Sequence, residues 1–382
     1  MRRLWLVVWF LGLGAWAQVA PSPDPAERSA QGEAFRRELT LRLVAQLQDP
    51  AFRDLLGSRL LPEVRRLALA PLVSEYGARW PTPDRLGFCA QMARLDQACQ
   101  ERKGLQPTSQ GLLGLEVIWP KGSPRILDWG TTLLGVGPRG PKRDARTLDA
   151  YDLQGRLHTL DAQVQPAVLV LMPGDDRGAV KRAGLALVNA GLRRARLAPP
   201  PAPQGPAQPI LCAKLTFIRL ADDQEPWWKG AAEVYAFAAG IDPIADQASI
   251  RLLDLPYLGS DGTDYRPNQL VLFWNEYRFN AADFQLWEHD DDLNYQDILA
   301  AVLSAVSTTM AVAGAPVFAW IPALAEAIIR AMPSAWFRDN DDYLDTFYTL
   351  EKGRTYDHLS GAANNAVISL EPYLLVPQSA VP

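Results

Sequence analysis

Residues Pro199 to Pro209 (Pro-Pro-Pro-Ala-Pro-Gln-Gly-Pro-Ala-Gln-Pro) are the strongest constraint on what this chain can fold into. Proline has a fixed φ and no amide hydrogen, so such a run can feed neither a helix interior nor a sheet ladder, and it tends to an extended, semi-rigid spacer. The elements must form on either side of it. The chemistry changes at the same place: residues 18–209 carry 26 Lys+Arg against 19 Asp+Glu, a net +7, whereas residues 210–382 carry 10 against 24, a net −14. An acidic half suits cations and does not suit nucleic acid, whose phosphates require Lys and Arg.

The first 17 residues have the three parts of a secretory signal in order. Arg2 and Arg3 form the basic start, Leu4 to Gly14 the apolar stretch, and Ala15-Trp16-Ala17 the small-x-small cleavage pattern. The apolar stretch is shorter than the roughly 20 residues a spanning helix needs. The expectation is export to a periplasm, a surface or the exterior of a bacterial cell. Three cysteines in an oxidising compartment cannot all pair within one chain. Cys89 and Cys99 are the natural couple, and closing so short a loop adds roughly 2 to 3 kcal/mol in the chain-entropy model. Pairing requires a turn between them, because ten residues of unbroken helix span about 15 Å. Cys212 lies in an apolar, strand-like run and reads as a buried, inert thiol.

Along the chain the pattern predicts a helical region over 18–105, with Phe35, Leu39, Leu43 and Leu47 spaced by four. A small antiparallel β region follows over 106–198, with Asp152-Leu-Gln-Gly155 as a hairpin turn. Beyond the proline spacer at 199–209, apolar, β-branched and aromatic runs at 210–220, 232–239, 248–255, 269–275, 283–288, 343–350 and 366–370 predict an antiparallel β-sandwich. One insertion, 294–332, interrupts it. Residues 298–325 contain 28 residues without a charge, broken at Gly314-Ala-Pro316 and near Pro322. This predicts an inserted apolar helix pair covering a sheet face, in preference to a membrane hairpin, because Ser304, Ser307, Thr308 and Thr309 lower its hydropathy. The fold class expected is α+β in several parts.

Carboxylates punctuate the acidic half at expected strand ends. Asp222 and Asp223 are followed by Glu233; Glu288 leads into Asp290 and Asp292; Asp339, Asp341 and Asp342 are followed by Asp345. Gathering them without a cation raises their pKa values by mutual repulsion, and Ca2+, with about six to eight oxygen ligands, is the physical match. Loops starting at Asp290 or Asp339 lack the glycine and glutamate of an EF-hand. Zinc is a poor match, since His158, His289 and His358 are scattered. Trp227 and Trp228 in the first acidic loop are a candidate ligand tip for a lipid headgroup layer or a sugar face. Catalysis has little support: no Gly-x-Ser-x-Gly and no phosphate-cradling glycine loop occurs. The alternative to a binding or structural role is a carboxylate-based hydrolase of an extracellular polymer, with Glu233 and Glu288 as its acid pair.

Two resemblances bear on these expectations. Gly230-Ala-Ala-Glu233-Val-Tyr235, Trp274-Asn275-Glu276 and Phe284-Gln-Leu-Trp287-Glu-His-Asp290-Asp-Asp292 resemble the calcium- and lipid-binding sandwich of protein kinase C and synaptotagmin. That resemblance implies calcium at the strand-end loops and a lipid partner, although Glu233 stands where that family has Asp-Pro-Tyr. Ala150-Tyr-Asp-Leu-Gln-Gly155, Trp287-Glu-His-Asp-Asp291, Ala331-Met-Pro-Ser-Ala-Trp336 and Asn340-Asp-Asp-Tyr-Leu-Asp345 resemble a family of exported bacterial proteins catalogued as a domain of unknown function. It implies only a secreted architecture and no assigned activity; lipid, glycan or a surface protein are the partner classes of the binding reading itself.

Overall fold

The structure is a computed structural model that describes residues 25–60, 64, 66–106, 114–120, 122–124, 126–138, 146–199, 208–223, 227–289, 293–310, 316–332 and 343–377. The signal-like residues 1–17, most of the proline spacer, and Asp290, Asp292, Asp339, Asp341 and Asp342 lie outside them. Among the described residues seven helices and fourteen strands form an α+β protein with three antiparallel-rich sheets.

The N-terminal half begins with α1 (Pro25–Gln46) and α2 (Pro50–Arg59), separated where Asp49 caps α2 by accepting the Ala51 N–H. A short β1 (Arg66–Ala68) precedes α3 (Leu69–Arg79) and α4 (Pro83–Arg102). Then come β2 (Leu115–Ile118), β3 (Leu133–Pro138), β4 (Thr147–Tyr151), β5 (Leu157–Asp161) and β6 (Val170–Asp175). They join β1 in one sheet, ordered β1-β2-β6-β3-β4-β5. The helices and this sheet share a single core, in which Leu39, Leu43, Phe52, Tyr76 and Met92 meet Leu115, Val117, Leu134 and Leu171. Two expectations for 106–198 need correction. The sheet is mixed, because β3 pairs with β6 in parallel, and an 18-residue helix, α5 (Arg177–Arg194), follows β6.

After the spacer, β7 (Ile210–Leu220), β8 (Val234–Ile241), β9 (Ala248–Asp254), β10 (Gln269–Phe273) and β11 (Ala281–Glu288) lead to α6 (Tyr295–Met310) and α7 (Trp320–Ala331). The chain returns through β12 (Tyr343–Glu351), β13 (Tyr356–Ser360) and β14 (Ala366–Leu375). Two antiparallel sheets result, β10-β7-β14-β13 and β12-β11-β8-β9. Their facing side chains form one apolar cluster, with Leu215, Ile218, Ile368 and Leu370 from the first and Ala236, Ala238, Phe284 and Phe347 from the second. Side chains alternate along a strand. The other face of β8 and β11, carrying Tyr235, Phe237 and Trp287, therefore packs against Val188 and Leu192 of α5, Val302 of α6 and Ile328 of α7. All eight residues of β8 are buried as a result.

Helix α5 reaches across the spacer to lie on α6, and glycines allow the approach. A Cβ on Gly184 would stand 2.1 Å from the Tyr295 ring, and one on Gly191 would stand 2.3 Å from Leu299. A buried ion-pair chain adds to this contact between the halves. Arg66 of β1 bonds Glu116 of β2 at 3.2 Å and also Glu233; Lys181 of α5 bonds Glu233 at 3.2 Å and Asp254 of β9 at 2.7 Å.

Candidate functional site

Ser369 of β14 is the centre of an irregular patch in the sheet β10-β7-β14-β13. On one side Phe217 pairs with Ser369 and Leu215 with Leu370, leaving Thr216 as an extra residue in β7. On the other side Leu359 pairs with Ile368 and Tyr356 with Leu370, so both Asp357 and His358 face Ser369. A β-bulge bends its strand and re-aims a side chain, and here two of them flank one residue. They turn Phe217 and His358 toward the same outer surface.

The floor of the resulting groove is aromatic and cationic. The Phe217 ring lies under the His358 ring at 4.6 Å between centroids, and the Arg266 guanidinium stands over Phe217 at 5.6 Å. Phe217 is itself buried beneath them. Thr216 Oγ1 donates to the Ser369 carbonyl at 3.2 Å, and the His358 backbone N–H donates to Ser369 Oγ at 3.0 Å. Two lobes meet at Phe217 and His358. One, of about 460 Å³, also takes in Lys214, Asn268, Tyr356 and Asp357; the other, of about 330 Å³, takes in Arg219, Asp264, Asn364 and Asn365. Backbone strain collects at the same place. Among the described residues five non-glycine residues have positive φ, and three of them, Asn268 (52°), His358 (50°) and Asn364 (57°), line these lobes; such conformations persist only where the surroundings enforce them.

Ser369, His358 and Asp357 are close without forming a hydrolytic relay. Both the His358 Nδ1 and the Ser369 hydroxyl meet the same Asp357 oxygen, at 2.6 and 3.4 Å. Activation of a serine requires its proton to be accepted by the imidazole. The hydroxyl is instead engaged by a carboxylate and a backbone amide. In this arrangement the hydroxyl is not poised as a nucleophile.

The residues singled out from the sequence fall elsewhere. Asp345 is fully buried, and each of its carboxylate oxygens accepts two backbone N–H groups: Thr346 and Ala363 on Oδ1, both at 2.8 Å, and Asn365 and Ala366 on Oδ2 at 2.9 and 2.7 Å. A saturated carboxylate has no lone pair left for calcium. Glu233 is likewise occupied by Arg66 and Lys181 and is buried, as is Glu288. Both residues of the proposed acid pair are buried, and Glu233 belongs to the ion-pair chain. Burial pushes the nearby Glu116 carboxyl up to about 7 against the pull of Arg66, and it pushes Lys181 down against the pull of Asp254. Asp223 accepts the Asp261 N–H at 3.2 Å, and the Asp222 backbone is clamped by the Asn365 amide. Among the described residues no three His, Cys, Asp or Glu side chains converge on a metal position.

Trp227 and Trp228 do not form an exposed tip. Trp228 is buried against Ile118, Leu133, Leu148 and Val170 of the six-stranded sheet, and the Trp227 indole donates to the Ala162 carbonyl at 2.8 Å. Covering apolar surface on the other half of the molecule is what makes adjacent tryptophans tolerable there. Cys89 and Cys99 do not meet the turn condition for pairing. Both lie in α4, an unbroken helix, and both thiols are free. Burial pushes the Cys99 thiol up to about 12, which makes it inert.

The groove residues carry little signal in the sequence. His358 reads as an isolated histidine, and Phe217, Arg266 and Ser369 as ordinary strand and loop positions. The one local hint is the polar Tyr356-Asp-His-Leu-Ser360 stretch, whose bulge hides the strand period.

Fold and site together define an α+β protein whose acidic half presents an open polar groove on one sheet. A family model described as "Protein of unknown function (DUF3103)" matches residues 37–378, and the chain belongs to that family. No curated protein and no solved structure matches the chain.

Proposed function

We propose that this chain is an exported binding protein, without catalysis of its own, that holds a glycan in the groove at Ser369. In this reading the two four-stranded sheets form a β-sandwich, and α6 and α7 are a helix pair inserted between its strands to cover one face. The paired bulges around Ser369 carry the proposal. They expose the His358 ring beside hydroxyl, amide and carboxylate groups in an open groove, and sugars need that combination: a ring face for their C–H surface and fixed polar groups for their hydroxyls. Export is supported by the signal-like pattern of residues 1–17. The test is a pull-down of the mature chain on insoluble polysaccharides, comparing wild type with His358→Ala. Retention of the wild type and loss of the variant supports the reading; equal retention of both removes it.

Calcium has a narrower basis as a stabiliser. Trp287 pairs with Tyr343, so the sequence runs Asp290-Asp291-Asp292 and Asp339 to Asp342 attach to neighbouring strand ends. Melting the protein in EDTA and then in millimolar calcium tests this. A rise in Tm that Asp290→Asn together with Asp341→Asn abolishes is the expected result, and an unchanged Tm removes calcium from the account.

A further inference from the structure

Resting on the glycan reading of the groove, we infer that its ligand is an acidic polysaccharide, one carboxylate of which is received by Arg266. The argument starts from charge. Residues 210–382 hold 24 carboxylate side chains against 10 Lys and Arg, so a cation there ordinarily finds a partner. Lys214 pairs with Glu371, Arg251 with Glu276, Arg278 with Asp246, Arg330 with Glu326 and Arg354 with Glu351. Arg266 is the exception in the groove. Among the described residues it has no ion pair, its contact being the face of Phe217. An exposed guanidinium held over a ring face spends none of its N–H donors on that contact, and its fork matches a planar carboxylate.

Its backbone is anchored before any ligand arrives. Tyr265, the preceding residue, exchanges two backbone hydrogen bonds with Ile218, each at 3.0 Å, which ties this segment to β7. Pre-organisation of this kind lowers the ordering cost of binding. The second lobe repeats the chemistry in weaker form. Arg219 is half exposed and meets Asp264 only at 3.9 Å, an exposed pairing that a ligand acid can displace. Arg219 lies two residues beyond Phe217 on β7, about 7 Å along the strand. Two cation positions on either side of the Phe217–His358 ring pair suit a polymer whose acidic groups recur along its length, whereas a single acidic monosaccharide would use one.

The experiment measures binding of oligogalacturonate, of a neutral β-glucan oligomer and of dextran sulfate to the full mature chain by titration calorimetry. The proteins compared are wild type, Arg266→Gln, Arg266→Lys and His358→Ala, each first checked for an unchanged Tm. Wild type is expected to prefer oligogalacturonate over the neutral oligomer about tenfold or more, the worth of a charge-assisted bond, with the gap narrowing at high salt. Arg266→Gln is expected to close the gap while neutral binding persists, and Arg266→Lys to restore part of it. If wild type binds both oligomers equally, or Arg266→Gln keeps the preference, the acidic-ligand inference is overturned and the groove reading stands. Dextran sulfate binding as tightly as oligogalacturonate, unaffected by Arg266→Gln, likewise overturns it as non-specific attraction. Binding that survives His358→Ala, or no binding of any oligomer, overturns both.

Discussion

Gly361 lies against Asp345 so closely that a Cβ built on it would stand 2.2 Å from the Asp345 Cγ. The contact exists because the 361–366 segment wraps the carboxylate, supplying three of its four backbone N–H donors. Gly361→Ala forces the wrap open, and Asp345→Ala leaves four donors without their acceptor. Each is expected to destabilise the fold by about 3 kcal/mol or more. Urea titration followed by circular dichroism measures this; a loss below about 1 kcal/mol would remove the structural role assigned to Asp345.

Asp283 supplies a pH dependence of defined sign. It is fully buried on β11, accepts the Thr349 N–H at 2.7 Å, and burial raises its pKa from 3.8 to about 7, with that hydrogen bond opposing. A carboxyl with a raised folded pKa binds more protons folded than unfolded between these values, so its contribution is complete below about pH 4 and is lost as pH rises through 7. Asp283→Asn should be more stable than wild type at pH 8 by on the order of 2 to 4 kcal/mol. The residual slope belongs to Glu116 and Glu276, both raised by burial in the same direction. Denaturant midpoints of both proteins between pH 4 and 8 decide the matter, and parallel curves would refute the assignment.

The α5–α6 contact rests on Gly184 and Gly191. Alanine is the better helix former by about 1 kcal/mol, so on propensity alone Gly184→Ala stabilises. The Tyr295 ring at 2.1 Å from the added Cβ makes steric overlap the larger effect, at about 1 to 3 kcal/mol. A net fall in Tm is expected, and Tyr295→Ala in the same chain should relieve the clash while leaving its own cavity. A rise in Tm for the single variant would show that α5 and α6 are further apart.

Trp228 ties the acidic half to the six-stranded sheet. Trp228→Ala empties a buried site and should cost about 3 to 5 kcal/mol, whereas Trp227→Ala removes one partly exposed ring and one hydrogen bond and should cost less. Thermal unfolding of the two variants side by side tests the ranking. If Trp227→Ala is the more damaging, the tip of that loop has another role.

Much of the local architecture was legible because local periods are written in neighbouring residues. β7 follows from its apolar run, and the β4–β5 hairpin follows from Asp152-Leu-Gln-Gly155, where Gly155 takes φ 75°. Helix α5 was not legible, since Gly178, Gly184 and Gly191 dilute its helical pattern. The glycines are there for α6, a partner that local reading does not see. Strand β13 escaped notice because its bulge at Asp357 and His358 breaks the alternation that identifies a strand.

The sequence by itself determined the α+β class, the acidic character of the second half and the positions of most strands, all properties of nearby residues. Only the tertiary structure decided which charges neutralise one another. Arg66 and Lys181 of the basic half meet Glu233 of the acidic half, Asp345 is satisfied by backbone amides, and Arg266 is left to face the groove. Coulomb and hydrogen-bond energies depend on distance in space, and pairing of β7 with β14 brings Phe217 to Ser369 and His358 from a place far away in the chain.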